Sequence, residues 1–193
     1  MMNGSIASRI PHLYSEIEER TKKVEFDMPS DQSVGSLLRT LVASKPNGRF
    51  LEIGTGTGLA LSWILDGMNA RSEVISIDNN PELIEVASEA FVGYNRVQLV
   101  CADGKQWIKQ YEGGKFDVIF ADSWPGKYSA IDETLNLLKL GGFYVIDDMM
   151  FQSNWPEGHQ QKAETLTDYL ENREDLYLTK MNWSTGIIIA TKI

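Results

Sequence analysis

The stretch Leu51-Glu-Ile-Gly-Thr-Gly-Thr-Gly-Leu59 restricts what this chain can fold into more than any other. It begins inside a short apolar run, Arg49–Ile53, and opens a helical stretch from Leu59 to about Asp66. Glycines at a strand-to-helix junction let the turn adopt positive φ and let a ligand press against backbone amides. Strands and helices alternate from there. Glu73–Ile77 reads as a second strand, and Asn80-Pro81-Glu82 as a helix start with a cap, a first-turn proline and an acid at the positive dipole end. Arg96–Val100 is a third strand, followed by a helix carrying Trp107, Ile108 and Tyr111, and Phe116–Ala121 is a fourth. Ile131, Leu135 and Leu138 share one face of the next helix, which Gly141-Gly142 is expected to stop before a fifth strand, Phe143–Ile146. Parallel neighbours need crossover connections, so this order predicts an α/β fold, a doubly wound parallel sheet with helices on both faces. Leu176–Asn182 and Gly186–Lys192 are separated by only Trp183-Ser-Thr, too short for a crossover. That gap predicts a hairpin, with one antiparallel strand closing the sheet.

Upstream, Val34, Leu37, Leu38, Leu41 and Val42 follow helical spacing behind a cap at Ser30 or Asp31. The first ~25 residues read as an amphipathic helix interrupted or started by Pro11, with Ile6, Ile10, Leu13 and Ile17 on one stripe. Three roles stay open for that stripe: an acceptor-site lid, a homodimer contact or plain core. With 193 residues the chain is expected to be one domain, residues 1–193, with 1–27 as a helical extension. A formal net charge of −9 repels phosphate backbones and anionic lipid, which disfavours a nucleic-acid or membrane partner. The segment Met1–Arg9 lacks the order of a signal peptide, and no apolar run approaches the roughly 20 residues of a membrane helix. The single cysteine, Cys101, suits a reducing, cytoplasmic setting and is expected to be a buried, inert thiol.

Acids stand at three successive strand ends. Glu52 precedes the glycines, where a carboxylate would repel a pyrophosphate and attract an ammonium. Asp78 ends the second strand, where a ribose diol is commonly held. Asp103 follows the third, within reach of an adenine amino group. The set suits a ligand with a cationic end, a ribose and an adenine, and no phosphate. A nicotinamide dehydrogenase would share the glycine loop and leave Glu52 and Asp103 without a role. Each acid also has a blander reading, since Asp is common in solvated turns and Glu52 can accept loop amides.

These motifs resemble the class I S-adenosylmethionine-dependent methyltransferases, and within them the small-molecule O-methyltransferases of the catechol and caffeoyl-CoA type. The resemblance runs from about residue 28 to the C-terminus. It implies a Rossmann-like seven-stranded sheet, mostly parallel with an antiparallel last strand. It implies S-adenosylmethionine as cofactor, with Glu52, Gly54, Thr55 and Gly56 at its methionine end, Asp78 and Asn79 at the ribose, and Asp103 and Gly104 at the adenine. Asp122 and Trp124 would close the pocket, and the acceptor would be a small molecule. Two other readings stand beside it: an RNA-base methyltransferase, and a module that binds the cofactor without turnover.

The metal-dependent relatives place Mg2+ or Ca2+ on positions matching Asp122, Asp147 and Asp148, a hard-cation ligand set. Asp148 stands where those relatives have Asn. Pro125 stands where they have Lys, and Lys127 is two positions on. Asp122, Lys127 and His159 are the candidate catalytic residues, with His159 and Lys127 the candidates for taking the acceptor's proton. His159 belongs to a segment, 154–159, expected to overhang the site, where Trp155 would help form an acceptor wall. The blander reading of His159 is a surface loop residue, and that of Trp107 and Trp183 is core packing.

Overall fold

The local chemistry of the chain yields seven helices and seven strands in a computed structural model that describes residues 9–153 and 155–193. Ile6 and Asn154 lie outside the described residues. The strands are β1 Arg49–Ile53, β2 Glu73–Asp78, β3 Val97–Cys101, β4 Phe116–Ala121, β5 Leu138–Ile146, β6 Leu176–Met181 and β7 Ile187–Lys192. The helices are α1 Tyr14–Lys23, α2 Gln32–Ala43, α3 Leu59–Gly67, α4 Pro81–Ala90, α5 Gly104–Gln110, α6 Ile131–Asn136 and α7 His159–Glu171. They build a single seven-stranded sheet in the order β3-β2-β1-β4-β5-β7-β6. The pairs among the first five strands are parallel, while β7 runs antiparallel to both β5 and β6. This is the doubly wound sheet with one reversed strand that the alternation predicts.

Side-chain alternation divides the core between the two faces of the sheet. Phe50 of β1 and Val118 and Phe120 of β4 pack with Ile17, Leu38, Leu61 and Trp63 on one side. Leu51 and Ile53 of β1, with Ile119 of β4, pack with Ile108, Leu135 and Leu166 on the other. Capping follows the local chemistry: Asp31, not Ser30, accepts from Val34 N at the start of α2, and Asn80 caps α4.

Two expectations change, and two open readings narrow. The N-terminal stripe is core: Leu13 and Ile17 are buried, Tyr14 packs edge-on against Trp63, and α1 begins only after a turn in which Tyr14 N donates to Pro11 O at 3.0 Å. Its described part therefore takes the core reading among the three. Helix α6 ends at Asn136, and β5 runs straight through Gly141-Gly142, because buried Leu138 pairs with Phe116 and the register then shifts by a bulge. Cys101 is exposed, since β3 is an edge strand with only partly buried side chains. His159 is not a surface loop residue but the buried first residue of α7.

Candidate active site

In an open parallel sheet the carboxyl ends of the strands face a common crevice. Here an acid stands at the end of each of β1 to β5: Glu52, Asp78, Asp103, Asp122 and Asp147. The glycine loop is tied to the sheet by Gly54 N and Thr55 N, both donating to Ile77 O, at 2.8 and 3.2 Å. Gly54 (φ 107) must be glycine, because a Cβ there would meet the Asp122 carbonyl at 2.7 Å.

Glu52 is wholly buried. Its Oε2 accepts from the Ser76 hydroxyl, while Oε1 has no partner. Burial pushes its carboxyl up to about 8; the Ser76 hydrogen bond opposes the shift, and the charges of Asp122 and Asp78 add to it. A buried carboxylate oxygen left without a donor is costly and calls for a cationic or donor ligand. Asp78 accepts from Gly56 N and Asn80 N, both at 2.9 Å, so it shapes the loop as well as facing the crevice. Thr55 is buried with its hydroxyl on Ser76 at 2.6 Å, so it braces the Glu52 partner. Asn79 is exposed beside Asp78. Asp103 caps α5, its Oδ1 accepting from Gln106 N at 2.8 Å, and Gly104 packs under Pro125.

Sequence reading missed the roof of this crevice. Phe26, Met28, Pro29 and Ser30 line a pocket with Thr55, Gly56, Thr57, Leu59 and Ala60. Ser30 Oγ donates to Asp122 Oδ2 at 2.8 Å, a partnership across 92 positions that no local pattern reveals.

On the other side, burial raises the pKa of both Asp122 and Asp147; for Asp122 the Asp147 charge adds to the shift. The Thr185 hydroxyl and Asp148 N both donate to Asp147 Oδ1. Lys127 is buried, and its Nζ donates to the Asp147 carbonyl at 2.7 Å. The carboxylate of Asp148, a residue at φ 57, accepts from Trp155 Nε1 at 3.1 and 3.0 Å. Among the described residues, no three acidic, histidine or cysteine side chains gather in an arrangement suited to a metal ion. Of the three carboxylates considered for a metal, that of Asp148 is held by the indole, and a lysine is seated at the end of β5. The residues present do not fit Mg2+ or Ca2+.

Trp155 stacks on His159 at 4.2 Å and 6°, and Trp124 and Tyr128 meet the same imidazole edge-on. Nε2 of His159 hydrogen-bonds the Tyr128 hydroxyl at 3.0 Å, and its Nδ1 is buried without a partner. Burial lowers the His159 pKa and pushes the Tyr128 phenol up to about 12. Both groups are therefore neutral near pH 7. Trp124 stays half exposed at the mouth, with the Lys162 ammonium 4.0 Å from its ring.

The fold is that of an α/β protein with a crevice at the ends of its parallel strands. Residues 44–185 match the family described as Methyltransferase domain, and the chain belongs to that family. A Mycobacterium ulcerans (strain Agy99) protein named "Putative O-methyltransferase" is 29% identical over 119 residues, which are 59% of this chain and 53% of that protein. The chain thus aligns with about half the length of the relatives it matches. In fold it is similar to the S-adenosylhomocysteine-bound methyltransferase of Podospora anserina (TM-score 0.82, 23% identity, 95% of this chain and 89% of that one). It is also similar to the Streptomyces achromogenes O-methyltransferase TomG in complex with S-adenosylmethionine (TM-score 0.83, 18% identity, 95% and 91%).

Proposed function

We propose that the chain transfers a methyl group from S-adenosylmethionine to an oxygen of a small acceptor. The observation that carries this reading is the unpartnered Oε1 of buried Glu52, just ahead of the glycine loop, a carboxyl that favours a cationic amino-acid end over a phosphate. The names of the matched relatives and the fold neighbours support the same reading. Glu52 and the loop amides hold the methionine end, Asp78 with Asn79 the ribose, and Asp103 with Gly104 the adenine. When bound, S-adenosylmethionine supplies an electrophilic methyl on a sulfonium. The protein's share is then alignment and the exclusion of water. Ser30 and Asp122 close the methionine side, while Trp124, Trp155 and His159 wall the acceptor side. His159, neutral and with Nδ1 free, is the acceptor-side group able to take a hydroxyl proton. The charge of −9 argues for a small acceptor and against a nucleic acid. No helix among the described residues is long and apolar enough to cross a membrane.

Calorimetric titration with S-adenosylhomocysteine, with NADH as control, tests this. Saturable binding of the first and none of the second is expected, with loss of binding in Asp78→Ala. Binding of NADH alone, or of neither ligand, would sink the reading.

A further inference from the structure

Lys127 stands out among the charged groups that the cofactor reading does not use. Among the described residues it is the only lysine or arginine in the buried set. Its position follows from a tight turn, Trp124-Pro-Gly-Lys127. Pro125 and Gly126 (φ 82) occupy the corners, and Lys127 N donates to Trp124 O at 3.3 Å, the signature of a type II turn. Gly126 is held there: a Cβ would meet Ile53 at 2.6 Å, and its carbonyl accepts from buried Tyr144. The turn carries the chain back over the ends of β4 and β5 and delivers the lysine inward.

We infer that the Lys127 ammonium, seated at the end of β5, is the resident cation of the acceptor side and takes the role a divalent ion would have there. Three observations meet here. Nζ is anchored at 2.7 Å on the carbonyl of Asp147, the residue that follows β5. An ammonium has three donors, so two remain for an acceptor oxygen. The third carboxylate a hard cation would recruit, that of Asp148, is drawn off by Trp155 Nε1. A fixed +1 charge in this spot also disfavours a +2 ion by direct repulsion. Lys127 is accordingly a positioning residue: it braces the backbone at the end of β5 and offers the acceptor oxygen a fixed positive partner. The acceptor role rests on the methyltransferase reading; the displacement of metal does not.

The experiment titrates the full chain with Mg2+, Ca2+ and Mn2+ by calorimetry, with and without S-adenosylhomocysteine, and compares Lys127→Met and Lys127→Arg by thermal unfolding. The wild type should show no saturable divalent binding at millimolar metal. Its affinity for S-adenosylhomocysteine should be unchanged by EDTA. Removing one side of a buried charge cluster should cost Lys127→Met roughly 10 °C in Tm. Millimolar Mg2+ or Ca2+ should recover much of that loss, a gain the wild type and Lys127→Arg do not show. Saturable divalent binding by the wild type overturns the inference, as does a folded Lys127→Met chain whose Tm ignores metal. If Lys127→Met does not fold, the wild-type titration decides. Failure to bind S-adenosylhomocysteine would strike the methyltransferase reading alone, because the metal arms are read without it.

Discussion

At the scale of single residues, Glu52 concentrates the site's physics. Its carboxyl sits near 8 in the fold against 4.5 for the free group. The folded state therefore keeps a proton that the unfolded state has lost between those values, and stability falls as pH rises through that window. Above about 8 the cost is complete and the slope ends. Asp122 and Asp147 are raised as well and tilt the profile the same way. In the ligand-free chain, Glu52→Gln should make the decline between pH 5 and 8 shallower, as followed by urea unfolding at fixed pH values; an unchanged slope would show that Glu52 is already ionised in the fold. The same variant should weaken S-adenosylhomocysteine binding roughly ten- to hundredfold, the usual worth of a charge-assisted hydrogen bond. Glu52, Asp78 and Asp103 were legible as a set because each directly ends or follows an apolar run. The partners of the strand-end acids were not: Ser76 on Glu52, Ser30 on Asp122 and Thr185 on Asp147 carry no pattern that marks them.

At the scale of elements, the glycine loop is positioned by packing as much as by its own flexibility. Helix α3 opens on Gly58 at φ 95 and buries seven consecutive residues, Leu59 to Leu65. It leans on α2 where Gly35 meets Trp63: a Cβ on Gly35 would lie 2.3 Å from Trp63 Cδ1. Alanine is the better helix former by about 1 kcal/mol, but overpacking a rigid indole costs about 1–3 kcal/mol. Gly35→Ala should therefore lower Tm, by roughly 4–8 °C at the upper end of that balance. A Tm at or above the wild type would mean that the indole moves aside freely. The helix and strand assignments survived where periodicity and caps agreed, as at Asn80-Pro81-Glu82. They failed at Gly141-Gly142, where pairing with β4 outweighed the local signal for a helix stop.

At the scale of the whole molecule, the segment before the glycine loop belongs to the main core. Thr21 is hydrogen-bonded to Thr57 of the loop region at 2.6 Å, and Ile17 is fully buried against the same cluster as Trp63. Ile17→Ala should thus cost about 2–5 kcal/mol and shift one cooperative unfolding transition to lower temperature. A separate early transition, with the main one unmoved, would show α1 to be an independent appendage.

What the sequence determined by itself was local and repeating: the strand-helix alternation, the glycine turn, the final hairpin and the acids at successive strand ends. These follow from neighbours a few positions apart, whose preferences act before any tertiary contact exists. Tertiary structure alone decided the rest. Cys101 is exposed because strand order puts β3 at an edge, and order is a property of the assembled sheet. Lys127 is buried because a Pro-Gly turn closes over the ends of two strands, and Asp148 meets an indole because Trp155 folds back onto it. Each depends on where distant segments come to rest, which side-chain types along the chain do not encode one position at a time.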